Sequence, residues 1–125
     1  MPQLERYLGL PFRLGADPED GTHADCFLLA SRVVEAVTGT PLPIDRAWYI
    51  AARRNDWAFI DQEWERRTRP AGIPKPGCIA YFPADDIRTY LAIGPEGGVW
   101  SVHRQRGVIW LPLRHCQPLN WSIPL

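Results

Sequence analysis

The most constraining feature of this sequence is a change of pattern near Pro70. Before it, apolar residues recur at helical spacing, most clearly over 26–38, where a helix is predicted to begin at Cys26 and to end at Gly39. After it, short apolar runs separated by glycine and proline predict strands, with a hairpin turn at 94–98. Helices followed by an antiparallel sheet predict an α+β fold in which one face of the sheet packs on the Cys26 helix.

The remaining elements are predicted from local signals. A short opening helix ends at Gly9, and a later helical region is capped by Asp45 and split at Asn55-Asp56. The predicted strands cover 78–82, 89–93, 99–102 and 108–113, with 121–123 as an edge strand. A chain of 125 residues fits one compact domain that buries a real core and leaves no room for a second domain, so residues 1–125 are predicted to form a single domain.

Charge and cysteine content exclude several classes of function. The 14 basic and 14 acidic side chains cancel, so no nucleic-acid partner is predicted. The N-terminus lacks a signal-peptide pattern and no apolar run could span a bilayer, so synthesis in the cytoplasm without membrane insertion is predicted. Cys26, Cys78 and Cys116 are an odd number without metal-type spacing, so we predict neither disulfides, nor a metal, nor a cofactor.

Cys26 stands where a nucleophile would be placed. The first turn of a helix is the positive end of its dipole, which stabilises a thiolate at neutral pH. A cysteine at such a position is more often a small buried apolar residue. The position alone leaves both interpretations open, and its neighbours decide between them.

Those neighbours resemble the nucleophile segment of the NlpC-type cell-wall cysteine peptidases, roughly G-x-P-Y-x-x-G-G followed by G-x-D-C-S-G-L. The corresponding residues here are GLPFRLG at 9–15, then Gly21, then Asp25-Cys26. The likeness is greatest to the version in tail-assembly proteins of tailed phages, where an aromatic residue follows the cysteine and Leu-Pro follows the helix. Phe27 and Leu42-Pro43 match those two features.

The second half of the chain resembles the same family. Residues 76–82 (PGCIAYF) are similar to its P-G-D-L-V-F-F strand, and residues 99–103 (VWSVH) resemble its later strand ending in histidine. Gly107-Val108 matches the G-V that follows. The resemblance covers most of the chain apart from 45–70, and it implies a papain-like fold.

The family also implies a set of catalytic roles. It uses a cysteine nucleophile, a histidine base on the first long strand and a second polar residue that orients the base, and its usual substrates are γ-D-glutamyl bonds of peptidoglycan stem peptides. Cys26 matches the nucleophile and His103 the orienting residue. The base position falls on Arg88, or on Asp86 if the alignment shifts by two. Arginine cannot accept the thiol proton, so a general base is missing there.

Further residues would line the site. Phe12 replaces the family's site tyrosine, and Leu28 replaces a glycine, where it could fill the substrate groove or simply pack. His23 lies three residues before Cys26 and could reach the sulfur, although an exposed loop position is favoured for it. His103 could also act directly as the base without an orienting residue.

Two functions remain. The favoured one is a catalytically degenerate relative that serves as a structural component of a phage tail tip, a baseplate or a phage-derived injection device, associated with the virion and bound to other tail proteins. The alternative is an active endopeptidase or amidase that cleaves peptidoglycan stem peptides with Cys26 as nucleophile. The missing base histidine favours the first, because losing a general base removes orders of magnitude of rate. An open groove at Cys26 and His103 would favour the enzyme, and a groove filled by Leu28 and Arg88 the structural role.

Overall fold

The structure, a computed structural model, describes residues 4–42, 46–84, 87–116 and 120–124, and gives only the backbone over 81–84 and 87–89. Its helices are α1 (Cys26–Thr38), α2 (Arg46–Arg53) and α3 (Trp57–Arg67). Its strands are β1 (Thr68–Pro70), β2 (Ile79–Ala84), β3 (Ile87–Ile93), β4 (Val99–His103), β5 (Gly107–Leu111) and β6 (Ser122–Pro124). The strands pair antiparallel in the order β1-β6-β2-β3-β4-β5. The predicted α+β class is confirmed.

Helix α1 has the predicted bounds because both of its ends are capped. The Asp25 side chain accepts hydrogen bonds from the amides of Phe27 and Leu28 in the first turn. Gly39 ends the helix in the left-handed conformation, with φ of 84°, and donates its amide to the Glu35 carbonyl. Between the caps, the apolar face is buried, as the spacing predicted.

The second helical region is divided at the predicted place. Asn55 has a φ of 56°, a left-handed conformation that asparagine tolerates, and Asp56 caps α3 by accepting from the Phe59 amide at 3.2 Å. Helices α2 and α3 are therefore separate. Asp45, the predicted cap of α2, lies outside the described residues.

The predicted opening helix is a single 3-10 turn, Leu4–Tyr7. The chain leaves it because residues 9 and 10 bond to β5: the Gly9 amide donates to the Val108 carbonyl, and the Val108 amide donates to the Leu10 carbonyl, both at 2.9 Å. Only glycine fits at position 107 beside this segment, since an added Cβ would come within 2.4 Å of the Leu10 carbonyl oxygen.

The sheet differs from the prediction at its edge. Strand β6 is not an edge strand, because it lies between β2 and β1, with Ser122 opposite both Ile79 and Pro70. The edge is β1, a three-residue strand directly after α3 that carries no periodicity and holds a proline, which an edge tolerates. Strand β5 stops at Leu111, two residues earlier than predicted, because Pro112 cannot donate to the ladder.

The two faces of the sheet bury different cores. Tyr90, Ala92, Trp100 and Val102 belong to the core that includes α1. The residues that alternate with them along the strands, such as Leu91 and Val99, lie on the opposite face. The second core is completed by Cys78, Cys116 and Trp121. One face of the sheet therefore packs on the Cys26 helix, as predicted.

Candidate active site

Cys26 is the first residue of α1 and faces β3 inside the core. Its side chain is buried, and its sulfur lies within reach of the backbone amide of Tyr90. Burial raises the pKa of the thiol to about 12, and the neighbouring Asp25 carboxylate adds to the rise. The amides of Tyr90, Phe27 and Cys26 act in the opposite direction and do not compensate. The pKa therefore moves against the direction that a helix N-terminus alone would give, because desolvation exceeds the dipole effect.

Asp25 fixes the position of Cys26. Its carboxylate is fully buried: Oδ1 accepts from the Phe27 amide at 2.7 Å and from the Tyr49 hydroxyl at 3.3 Å, and Oδ2 accepts from the Gly15 amide at 2.8 Å. Burial raises its pKa, and these hydrogen bonds oppose the rise. One carboxylate therefore joins the loop before α1, the first turn of α1 and helix α2.

Replacing Asp25 by alanine is expected to lower the free energy of unfolding by about 2 kcal/mol, since it removes a helix cap and leaves buried donors unpaired. The matched control is Asp56→Ala, which removes the cap of α3 at an exposed position and is expected to cost about 0.5–1 kcal/mol. Urea denaturation followed by circular dichroism measures both. Equal losses in the two variants would contradict a connecting role for Asp25.

His103 lies at the exposed end of β4 and faces away from Cys26. It alternates with Val102, which packs in the core around α1, and shares the side of β4 on which Val99 enters the opposite core. Its Nδ1 accepts from the amides of Gln105 and Arg106, both at 3.1 Å, so this nitrogen holds the β4–β5 turn. The structure therefore places His103 on the side of β4 opposite the core that contains Cys26.

The register of β3 and β4 accounts for this orientation. Ala92 pairs with Trp100 and Ile93 with Val99, so Trp100 and Val102 are the β4 residues directed to α1. Because successive side chains alternate, a shift of one residue would reverse the face of every side chain on the strand. His103 directly follows Val102 and therefore lies on the other face of β4.

Of the two candidates for the base position, the structure describes the backbone of Arg88 and does not describe Asp86. The backbone of Arg88 lies in β3 opposite Pro83, two residues from Tyr90, so its register position belongs to the face that covers α1. The structure does not describe its side chain, and Asp86 lies outside the described residues.

The other predicted site residues lie around the start of α1. Phe12 is half-buried, pairs through its backbone with Ala24, and has the Arg104 guanidinium 5.6 Å from its ring centre. His23 is half-buried in the loop before Ala24. Leu28 is also half-buried, and its amide donates to Asp25. Phe12 thus packs against the core that contains Cys26, and Leu28 contacts Asp25 through its backbone.

An aromatic cluster that the sequence did not predict as a group covers this region. The Phe27 ring lies 3.9 Å from Tyr90, 5.0 Å from Trp48 and 5.9 Å from Tyr49 between centroids, and Trp64 lies 5.5 Å from Tyr90. The segment 45–70, outside the family resemblance, supplies three of these rings. Trp48 and Trp64 fall at helical spacing, so their burial had a sequence signal. Tyr49 had none, because its partner Asp25 is distant in the chain.

A cavity of about 230 Å³ opens beside this cluster. Residues of all three helices and of β1, β2, β3 and β6 line it, among them Phe27 and Tyr90. Cys26 and His103 are not among its lining residues. This cavity is therefore not an open groove that joins Cys26 and His103.

No family model, curated protein or solved structure matches the chain in comparisons with known proteins. Within the described ranges, no helix is both long and apolar enough to cross a bilayer. The same ranges contain no group of three or more histidine, cysteine, aspartate or glutamate side chains arranged to hold a metal ion.

Proposed function

We propose that the chain is an NlpC-type, papain-like cysteine-peptidase domain that has lost catalysis and serves as a structural component of a phage tail tip, baseplate or phage-derived injection device. The family assignment rests on the motifs around Cys26 and on the later strands. The loss of catalysis rests chiefly on one observation, the buried Cys26 thiol with its pKa raised to about 12.

Peptide-bond cleavage by a cysteine peptidase needs an accessible thiolate and a group that removes the thiol proton. A thiol with a pKa of about 12 is almost entirely protonated at neutral pH, and Asp25 adds negative charge that disfavours the thiolate further. His103, the only histidine that the family pattern assigns to catalysis, occupies the opposite side of β4. These features support a scaffold that retains the cysteine as a core residue.

The alternative, an active peptidase acting on peptidoglycan stem peptides, is supported by the retained Asp25-Cys26 at the first turn of α1. It requires that the buried Cys26 thiol become accessible and that another group take the role of base. The structural function requires neither change and is therefore preferred.

Particles purified from the source of this protein are expected to contain the chain in a fixed ratio to the other tail proteins. Quantitative mass spectrometry of gradient-purified particles measures this ratio, and the non-particle fraction of the same lysate is the control. The purified protein and its Cys26→Ala variant are incubated in parallel with peptidoglycan. Absence from the particles would contradict the structural proposal, and release of stem peptides by the wild type alone would establish the peptidase.

A further inference from the structure

The cavity beside the aromatic cluster has a size that selects a class of ligand. Its volume is about 230 Å³, against roughly 150 Å³ for an apolar cavity that holds benzene. In proportion, it holds a body of roughly nine heavy atoms. The rings of Phe27, Trp48, Trp64 and Tyr90 line it together with aliphatic side chains such as that of Leu42. These walls favour an apolar body that contains an aromatic ring.

One wall carries a polar group that the protein leaves unsatisfied. The Trp48 side chain lines the cavity and is 6% exposed, and its indole Nε1–H has no hydrogen-bond acceptor in the part of the chain that the structure describes. This donor is already withdrawn from water by the fold itself, so an incoming acceptor gains a hydrogen bond without the donor first losing water. The donor therefore selects a ligand with an acceptor oxygen.

Three other polar side chains that line the cavity are held within the protein. The Thr68 hydroxyl donates to the Trp64 carbonyl at 2.8 Å. The Arg66 and Arg67 guanidinium groups pair with Glu63 at 3.3 Å and 3.1 Å, and Arg66 is also mostly exposed to solvent. These groups already have partners and are not needed to hold a ligand. A charged ligand would lose its hydration among the apolar walls, so a neutral ligand is favoured.

We infer that this cavity binds a small neutral molecule with an aromatic body and one carbonyl oxygen, of the aryl ketone or aryl aldehyde class. Its ring lies among the aromatic side chains, and its oxygen accepts a hydrogen bond from the Trp48 indole N–H. The site uses neither Cys26 nor His103, so it goes beyond the proposed function and stands whether or not the domain is a peptidase.

The test is a titration of the ¹⁵N-labelled protein with acetophenone, followed through the indole N–H signals of the tryptophans. Trp48→Phe, Trp64→Phe and Trp110→Phe each remove one signal and thereby assign it. Acetophenone is expected to shift the Trp48 and Trp64 signals in a saturable way. The signal of Trp110, which lies on β5 and is not among the lining residues, is expected to stay unchanged. Absence of saturation, or an equal response at Trp110, overturns the inference.

The place of the ligand's oxygen is tested with α-methylstyrene, which has the shape of acetophenone with a methylene group instead of the oxygen. In Trp48→Phe, followed through the Trp64 signal, the affinity for acetophenone relative to α-methylstyrene is expected to fall about fivefold, the effect of one neutral hydrogen bond. Taking the ratio cancels the difference in hydrophobicity between the two ligands. An unchanged ratio overturns the hydrogen bond to Trp48.

The volume is tested by filling the cavity. Ala30→Leu adds a side chain to a buried wall residue and is expected to abolish binding, whereas Ala58→Leu, the same change at an exposed position of α3, is expected to leave the affinity unchanged. Circular dichroism confirms that both variants fold. In the wild type, 1-acetylnaphthalene tests the same limit, since its second ring exceeds the volume and is expected to prevent binding. Unchanged acetophenone affinity in folded Ala30→Leu, or equally tight binding of 1-acetylnaphthalene, overturns the assignment to this cavity.

Discussion

Iodoacetamide is expected to alkylate Cys26 in the folded protein at least about 100-fold more slowly than in the urea-unfolded chain at pH 8. The physical reason is the rise in pKa from 9.0 to about 12, which lowers the thiolate fraction at a given pH by roughly 1,000-fold. The higher intrinsic nucleophilicity of a basic thiolate recovers part of this loss, and the burial of the sulfur slows the reaction again. Mass spectrometry of the Cys26 peptide measures the rate.

The pH dependence of the alkylation rate shows whether the pKa of Cys26 is raised or lowered. Below a pKa of about 12, the rate for the folded protein should rise about tenfold per pH unit and show no plateau between pH 8 and pH 10. The unfolded chain should level off above pH 9 at its ordinary thiol pKa. Cys26→Ala is the control for labelling at Cys78 and Cys116, which are also buried. A fast reaction with an apparent pKa below about 8.5 would mean an activated thiolate and would favour the peptidase.

The same shift links Cys26 to stability. A thiol whose pKa is higher in the folded state stabilises the fold fully below the unfolded pKa, and this stabilisation is lost as the pH rises from about 9 towards about 12. Burial also raises the pKa of Tyr49, and burial with the Glu19 hydrogen bond raises the pKa of Tyr7 to about 12. These three groups act in one direction, and burial also raises the pKa of Cys116 in the second core, so strong alkali is expected to destabilise both cores.

The fold was predictable where several local signals agree. Helix α1 has an aspartate cap, an apolar face at helical spacing and a glycine stop, and all three give the same bounds. The hairpin at 94–98 has glycines that suit its turn. Strand β1 had no such signals: it is three residues long, follows a helix directly and is stabilised by pairing with a strand more than fifty residues later.

The site was less predictable because its properties arise from long-range packing. The sequence placed Cys26 at a helix start, where a dipole argument lowers the pKa, yet the pKa depends on which groups exclude water. The groups near the sulfur include Tyr49 of α2 and Tyr90 of β3, which are distant from Cys26 in the chain. The orientation of His103 depends on strand register, and the nearly continuous apolar run before it gives no alternation from which to read the face.

Phe27→Ala is expected to lower the free energy of unfolding by about 3–5 kcal/mol, the range for truncating a buried phenylalanine. Phe27 is 4% exposed and is the residue through which α1, α2 and β3 meet, by its contacts with Trp48, Tyr49 and Tyr90. Urea denaturation followed by circular dichroism measures the loss without depending on the tryptophans in the cluster.

Phe59→Ala is the matched control, because it removes the same side chain from a half-buried position on α3, where a loss of about 1–2 kcal/mol is expected. The two variants should differ in a second respect. Removing Phe27 opens the packing beside Cys26, so alkylation of Cys26 should become faster at a denaturant concentration where the variant is still folded, whereas Phe59→Ala should leave that rate unchanged. If Phe27→Ala destabilised the protein no more than Phe59→Ala and left Cys26 equally unreactive, the aromatic cluster would not be what keeps the thiol buried and protonated.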